Sequence, residues 1–116
     1  PILKNNLAEF LMPDILWTGG ISEFYKISNL AESFYVPVSP HDASGPINIM
    51  AGAHTMMVVP NFYKLEFNHA QLDVHNALID KPLDIVSGKL QVPKTPGLGV
   101  ELDVEFIEAH LDEDWN

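Results

Sequence analysis

Tyr35-Val36-Pro37-Val38-Ser39-Pro40-His41-Asp42-Ala43-Ser44-Gly45-Pro46 passes through three kinds of backbone in a short span. Tyr35–Ser39 is a brief apolar run with β-branched residues and reads as a strand. Pro37 argues against a central position, because proline cannot donate to a ladder. Ser39 to Gly45 reads as a loop. Pro46 suits the first position of a helix, where its missing N–H would be unsatisfied in any residue. His41 therefore lies just beyond the end of a strand and just before a helix.

The same order recurs on either side. Upstream, Asn5 to Met12 reads as a helix tail with Leu7, Phe10 and Leu11 on one side, ended by Pro13. Pro13–Trp17 reads as a short buried strand approached through Leu11-Met12-Pro13 and carrying Asp14, and Thr18-Gly19-Gly20 as a turn. Ile21, Phe24, Ile27, Leu30, Ala31 and Phe34 recur every three or four residues, an amphipathic helix of about four turns. Downstream, Ile47, Ile49, Met50, Ala53, Met56 and Met57 make the helix from Pro46 to about Val58 apolar nearly all round, which predicts deep burial. Pro60 closes it, and Phe62–Phe67 forms a third strand with Glu66 near its end. Strand, helix, strand, helix, strand implies parallel strands with right-handed crossovers.

Asp14, His41 and Glu66 are 27 and 25 residues apart. That is roughly one strand–helix unit of a (β/α)8 barrel, in which about 250 residues supply eight units. Neighbouring strands lie about 4.8 Å apart, so the three ends bring a carboxylate, an imidazole and a second carboxylate to one cleft. Histidine titrates near neutral pH and suits a general acid or base. A carboxylate on one ring nitrogen fixes the tautomer and raises the basicity of the other, the role open to Asp14. Glu66 can remain protonated near a second anion and donate to a developing oxyanion. Together they describe proton abstraction next to a carboxylate or carbonyl. Taken singly, an Asp after a Pro is ordinarily a turn or cap residue, a loop His is solvated and a strand-end Glu is exposed; the shared spacing lifts the set above those readings.

The remaining polar residues carry less. His54 belongs to the core or a helix contact, His69 and His75 are poorly spaced for a helical metal pair, and His110 sits on a terminal helix. There is no HExxH pattern and no carboxylate cluster for a complete metal site. Asp42 reads first as a turn former. Gly97-Leu98-Gly99 lacks the strand–helix context of a phosphate loop, and Trp17 and Phe62 read as packing residues.

Composition narrows the partners. In 116 residues, 47% are hydrophobic, which excludes a disordered chain. The net charge is −10 with six Lys and Arg, so nucleic acid and anionic membranes are poor partners. An anionic substrate would be repelled unless a metal cation or basic residues elsewhere offset that field. Cysteine is absent, which removes disulfide and thiolate chemistry. The longest apolar run, Ile49 to Val59, is too short to span a bilayer. The character changes after about Phe67. Asn68 to Asp84 has no clear period, Leu90–Val92 and Val100–Leu102 read as extended segments around a Pro/Gly loop, and Asp103 would cap a short helix from Val104 to Leu111. The acidic tail Asp112-Glu113-Asp114 is expected to fray.

Four groups of residues, in order and spacing, resemble the C-terminal part of the mandelate racemase branch of the enolase superfamily. They are Pro13-Asp14 with Gly19-Gly20-Ile21; Ser39-Pro40-His41 with Gly45-Pro46; Pro60-Asn61-Phe62 with Glu66; and Lys94-Thr95-Pro96-Gly97-Leu98-Gly99-Val100-Glu101. The nearest likeness is to acid-sugar dehydratases of the galactonate type. The resemblance implies an α/β fold: the last strands and helices of a (β/α)7β TIM-like barrel in residues 1–67, and in 68–116 a segment returning toward an N-terminal capping domain. It implies that Asp14 orients His41, that His41 is the acid–base catalyst, and that Glu66 hydrogen-bonds the enediolate, His41 and Glu66 both touching substrate. It also implies Mg²⁺ held by ligands upstream of this chain and none within it, a second catalytic residue upstream, a homo-oligomer, and a cytoplasmic lyase acting on a sugar acid together with the remainder of the same enzyme. Racemase, epimerase or cycloisomerase chemistry on the same scaffold is the alternative, and a catalytically silent fragment the third reading.

Overall fold

The computed structural model describes residues 1–112. Three extended segments lie side by side, with parallel bridges from Leu11 to Val38 and from Val38 to Phe62. The ladder consists of Leu11 N–H to Pro37 O (3.0 Å), Ser39 N–H to Leu11 O, Val38 N–H to Asn61 O and Tyr63 N–H to Val38 O (each 2.9 Å). The Val38 segment is thus the middle one, although Pro37 lies within it. The ladder is short enough that Pro37 contributes only its carbonyl, while Val38 and Ser39 supply the donors.

The local boundaries differ from the sequence reading in three places. Asn5 to Met12 is not a helix tail: a 3-10 turn at Leu3–Asn5 ends at Asn6, whose φ of 51° is left-handed. The first segment pairs through Leu11 and through the carbonyl of Pro13, and the pairing stops before Ile15–Trp17. Asp14 accepts from the amides of Leu16 and Trp17 and so caps a single helical turn, α1 (Ile15–Thr18); a local side-chain cap overrides the apolar run. The third segment is bridged at Phe62 and does not continue as a strand to Phe67.

The two long helices are α2 (Ile21–Glu32) and α3 (Pro46–Met56), with Pro46 in the first turn of α3. Nine of the eleven residues of α3 are buried, as its all-round apolarity requires. In α2 only Phe24, Ser28 and Ala31 are buried, while Ile21, Leu30 and the following Phe34 face outward. One buried cluster joins Ile15, Phe24, Ala31, Val36 and Val38 to Ala51 and Met56 of α3. A second joins Ile49 and Met50 to Ile79 and Leu83, and Leu98 packs against both. Gly52 permits the close approach of α3 to the His41 segment, because a Cβ there would meet Pro40 Cβ at 3.2 Å.

The segment after Phe67 is more regular than its sequence suggests. Asn68 accepts from Ala70 N–H at the start of a 3-10 turn (His69–Gln71) that leads into α4 (Leu72–Ala77). Strands β1 (Ile85–Val86) and β2 (Lys89–Leu90) form a hairpin through Ser87 and Gly88, both at positive φ, the signature of a primed two-residue turn. The extended segment expected at Leu90–Val92 is strand only at Leu90. Leu102 bridges Ile79 in antiparallel sense. Asp103 caps α5 (Val104–Ala109) by accepting from Phe106 N–H at 2.9 Å. Glu113 and Asp114 of the acidic tail lie outside the described residues. Among those described, no helix is long and apolar enough to cross a membrane.

Candidate active site

Asp14 and His41 each lie three residues past the bridged residue of their segment, Leu11 and Val38, and Glu66 lies four past Phe62. At about 3.3 Å per residue, such matched offsets bring the three groups to the same end of the parallel segments. His41 is further fixed by its N–H, which donates to Pro13 O at 3.0 Å.

The side chains meet as their spacing predicts. His41 Nδ1 lies 2.9 Å from Asp14 Oδ2. Asp14 is buried, and its other oxygen, Oδ1, accepts from Leu16 N–H at 2.8 Å and Trp17 N–H at 3.4 Å. With Asp14 as acceptor, the ring proton belongs on Nδ1, and Nε2 keeps a lone pair that can take a proton. The hydrogen bond to Asp14 is the main influence holding the His41 pKa above its usual 6.5. Burial works against that, and the negative charges of Glu66, Asp14 and Asp42 add to it. Nε2 stands 3.9 Å from Glu66 Oε2, too far for a direct hydrogen bond, so both groups are available to a third.

Glu66 Oε2 accepts the backbone N–H of Asp42 at 2.9 Å. Asp42 is a turn former, as its loop position predicts, with Oδ1 accepting from Ser44 N–H at 3.4 Å. It is also buried, and Oδ1 takes a second hydrogen bond at 3.0 Å from Asn48 Nδ2. Asn48 donates as well to His41 O at 3.2 Å. Sequence reasoning passed over Asn48; the available signal was an amide in the first turn of a helix that is otherwise apolar nearly all round.

The other singled-out residues lie elsewhere. His54 Nε2 is 3.0 Å from Leu98 O and ties α3 to the Pro/Gly loop. His69 and His75 both approach Phe67 edge-on. His110 stacks on Phe106. Trp17, read as a packing residue, is 85% exposed within this chain; capping of α1 turns it away from the core that the expected strand would have given it.

Residues 1–106 match the family described as enolase C-terminal domain-like. The chain belongs to that family. It is 36% identical over 112 residues to a D-xylonate dehydratase of Haloferax volcanii, covering 97% of this chain and 27% of that protein. It is 32% identical over 109 residues to an arabinonate dehydratase of Saccharolobus solfataricus, covering 94% of this chain and 29% of the relative. Among solved structures, a mandelate racemase/muconate lactonizing enzyme-like protein from Rubrobacter xylanophilus superposes with a TM-score of 0.88 at 33% identity, over 97% of this chain and 29% of that one. The chain thus spans less than a third of the length of the relatives it matches, and its fold is a part of the α/β barrel of this superfamily.

Proposed function

We propose that the enzyme containing this chain dehydrates a sugar acid to a 2-keto-3-deoxy acid, with His41 as acid–base catalyst, Asp14 as its orienting partner and Glu66 as a hydrogen-bond donor to the substrate. The observation that carries this reading is the Asp14–His41 hydrogen bond of 2.9 Å with Nε2 left facing Glu66 across 3.9 Å. The dehydratase relatives support the substrate class.

His41 Nε2 takes the proton from the carbon next to the substrate carboxylate. The C–H electron pair moves into the carboxylate as an enediolate, and the new imidazolium is stabilised through Nδ1–H on Asp14. Glu66 accepts the Asp42 amide on Oε2, which leaves Oε1 as the oxygen that hydrogen-bonds an enediolate oxygen. The electron pair then returns and expels the β-hydroxyl, which takes a proton from His41 and leaves as water. The enol left behind becomes the ketone. Electrostatic stabilisation of the enediolate is the largest contribution expected.

Mg²⁺ is implied by the family resemblance. Among the described residues no group of three or more His, Asp or Glu is placed to hold a metal ion, so the ligands would come from outside this chain, and no step above is routed through the metal. On the same reading, residues 1–67 are the last strand–helix units of the barrel and 68–116 return toward a capping domain. The resemblance likewise implies a cytoplasmic homo-oligomer.

The test is an assay of the complete enzyme on a panel of aldonic and aldaric acids. The reading requires a 2-keto-3-deoxy product from at least one of them. Racemised or lactone products in place of a keto acid would overturn the dehydratase assignment.

A further inference from the structure

Two buried polar side chains beside the candidate active site have no place in the chemistry just described. Asp42 and Asn48 are 5% and 4% exposed, and each is in contact with the backbone that bears the acid–base histidine. Asn48 Nδ2 donates to both His41 O and Asp42 Oδ1. The Asp42 backbone N–H in turn donates to Glu66 Oε2 at 2.9 Å. A continuous path therefore runs from the first turn of α3, through the 41–42 peptide, to the Glu66 carboxyl. Its base is firm: α3 is the most buried element, and Gly52 seats it directly against Pro40, the residue before His41.

Burying an amide and a carboxyl in an apolar setting is costly unless their hydrogen bonds are made. Here the bonding is uneven. Asp42 Oδ2 and Asn48 Oδ1 lack partners, while Asp42 Oδ1 accepts from Asn48 Nδ2 and Ser44 N–H, and Asn48 Nδ2 also donates to His41 O. A loop held only for stability would be served as well by an apolar residue at 48, with no orphaned oxygen.

We infer that Asn48 and Asp42 are positioning residues that set the separation of the His41 ring and the Glu66 carboxyl by locking the peptide between them. This rests on the roles proposed above for His41 and Glu66. Asn48 does not touch substrate; it fixes the direction of the Asp42 N–H. That N–H occupies Glu66 Oε2 and leaves Oε1 to face the substrate. Loss of the lock lets Glu66 rotate, which weakens an interaction made with the enediolate more than with the ground-state carboxylate. The defect then belongs in kcat and not in KM.

The test uses the complete enzyme and its sugar-acid substrate. Asn48→Leu removes the donor at nearly constant size, and Asp42→Ala removes the acceptor. Both should lower kcat about 10- to 100-fold with KM within about threefold, the size of effect expected when a catalytic group is held in place but misoriented. Asp42→Asn keeps an Oδ1 acceptor for Asn48 and Ser44 and should retain kcat within about threefold. That rescue separates positioning from charge. If Asn48→Leu does not fold, as judged by its thermal transition, the two Asp42 variants alone decide. Wild-type kcat in Asp42→Ala, or an Asp42→Asn defect as deep as that of Asp42→Ala, overturns the inference. His41→Asn is the control: if that variant keeps its activity, the underlying reading of the site has failed and not the positioning role alone.

Discussion

Asp14→Asn separates two jobs that Asp14 performs with its two oxygens. Oδ1 caps α1 by accepting from Leu16 and Trp17, and Oδ2 accepts from His41 Nδ1. Asparagine has one oxygen and one NH₂. Two amide donors lie on one side and a single ring nitrogen on the other, so the favourable orientation turns the oxygen toward the amides. The cap survives, because Asn and Asp cap helices about equally well. The NH₂ then faces Nδ1, which can receive it only as an acceptor. The ring proton must move to Nε2, and the lone pair that would take the substrate proton is gone. The same exchange of carboxylate for amide in a Ser-His-Asp triad lowers kcat about 10⁴-fold through the same tautomer switch. We therefore expect a loss of about 10³–10⁴ in kcat with a nearly unchanged Tm. Asp14→Ala should be equally inactive and also less stable, by about 1 kcal/mol for the lost cap. The assay is steady-state kinetics of both variants of the complete enzyme with parallel thermal melts. Asp14→Asn with more than a tenth of wild-type activity, or a stability as poor as that of Asp14→Ala, would refute the two-oxygen argument.

Further outcomes follow from the same contacts. Glu66→Gln retains an N–H donor and should lower kcat less than Glu66→Ala, whose loss of one oxyanion donor corresponds to about 3–4 kcal/mol; equal rates for Glu66→Ala and wild type would reduce Glu66 to a surface carboxyl. The hydrogen bond to Asp14 favours protonated His41, whereas a base must be neutral. The acid limb of kcat/KM should therefore lie above pH 6.5 and move to lower pH in the residual activity of Asp14→Asn, as a pH profile of both would reveal. Gly99→Ala should destabilise the enzyme in thermal melts, because Gly99 has a φ of +76° and a Cβ there would lie 2.5 Å from Pro93 Cβ; an unchanged Tm would mean that the Pro/Gly loop moves freely off α3.

The parallel order of the three segments was legible because strand–helix spacing repeats across Asp14, His41 and Glu66, and a repeat survives errors at element ends. The burial of α3 was legible because no polar face competes for it. The misplaced first strand has a specific cause: Ile15-Leu16-Trp17 is as apolar as a strand, and nothing in its pattern weighs the Asp14 cap against the ladder. Pro37 misled in the opposite direction, since its cost depends on which residues donate, and only the neighbouring segments decide that. The Asp42 amide was out of reach for a different reason. It is a peptide N–H aimed at a side chain 24 residues away, and side-chain chemistry read along a sequence does not register backbone donors. The Ser87-Gly88 hairpin could have been found from its turn residues, but two-residue strands leave no period to read.

The central claim is that His41 moves the α-proton. The direct measurement is turnover by the complete enzyme of its sugar acid carrying deuterium at the α-carbon, for wild type and for His41→Asn. Asn keeps a polar side chain of similar reach and cannot take a proton. The account predicts that wild type is slowed by the deuterium and that His41→Asn gives neither keto acid nor loss of the α-deuterium while keeping its thermal transition. A folded His41→Asn enzyme that releases the α-deuterium at the wild-type rate would contradict it.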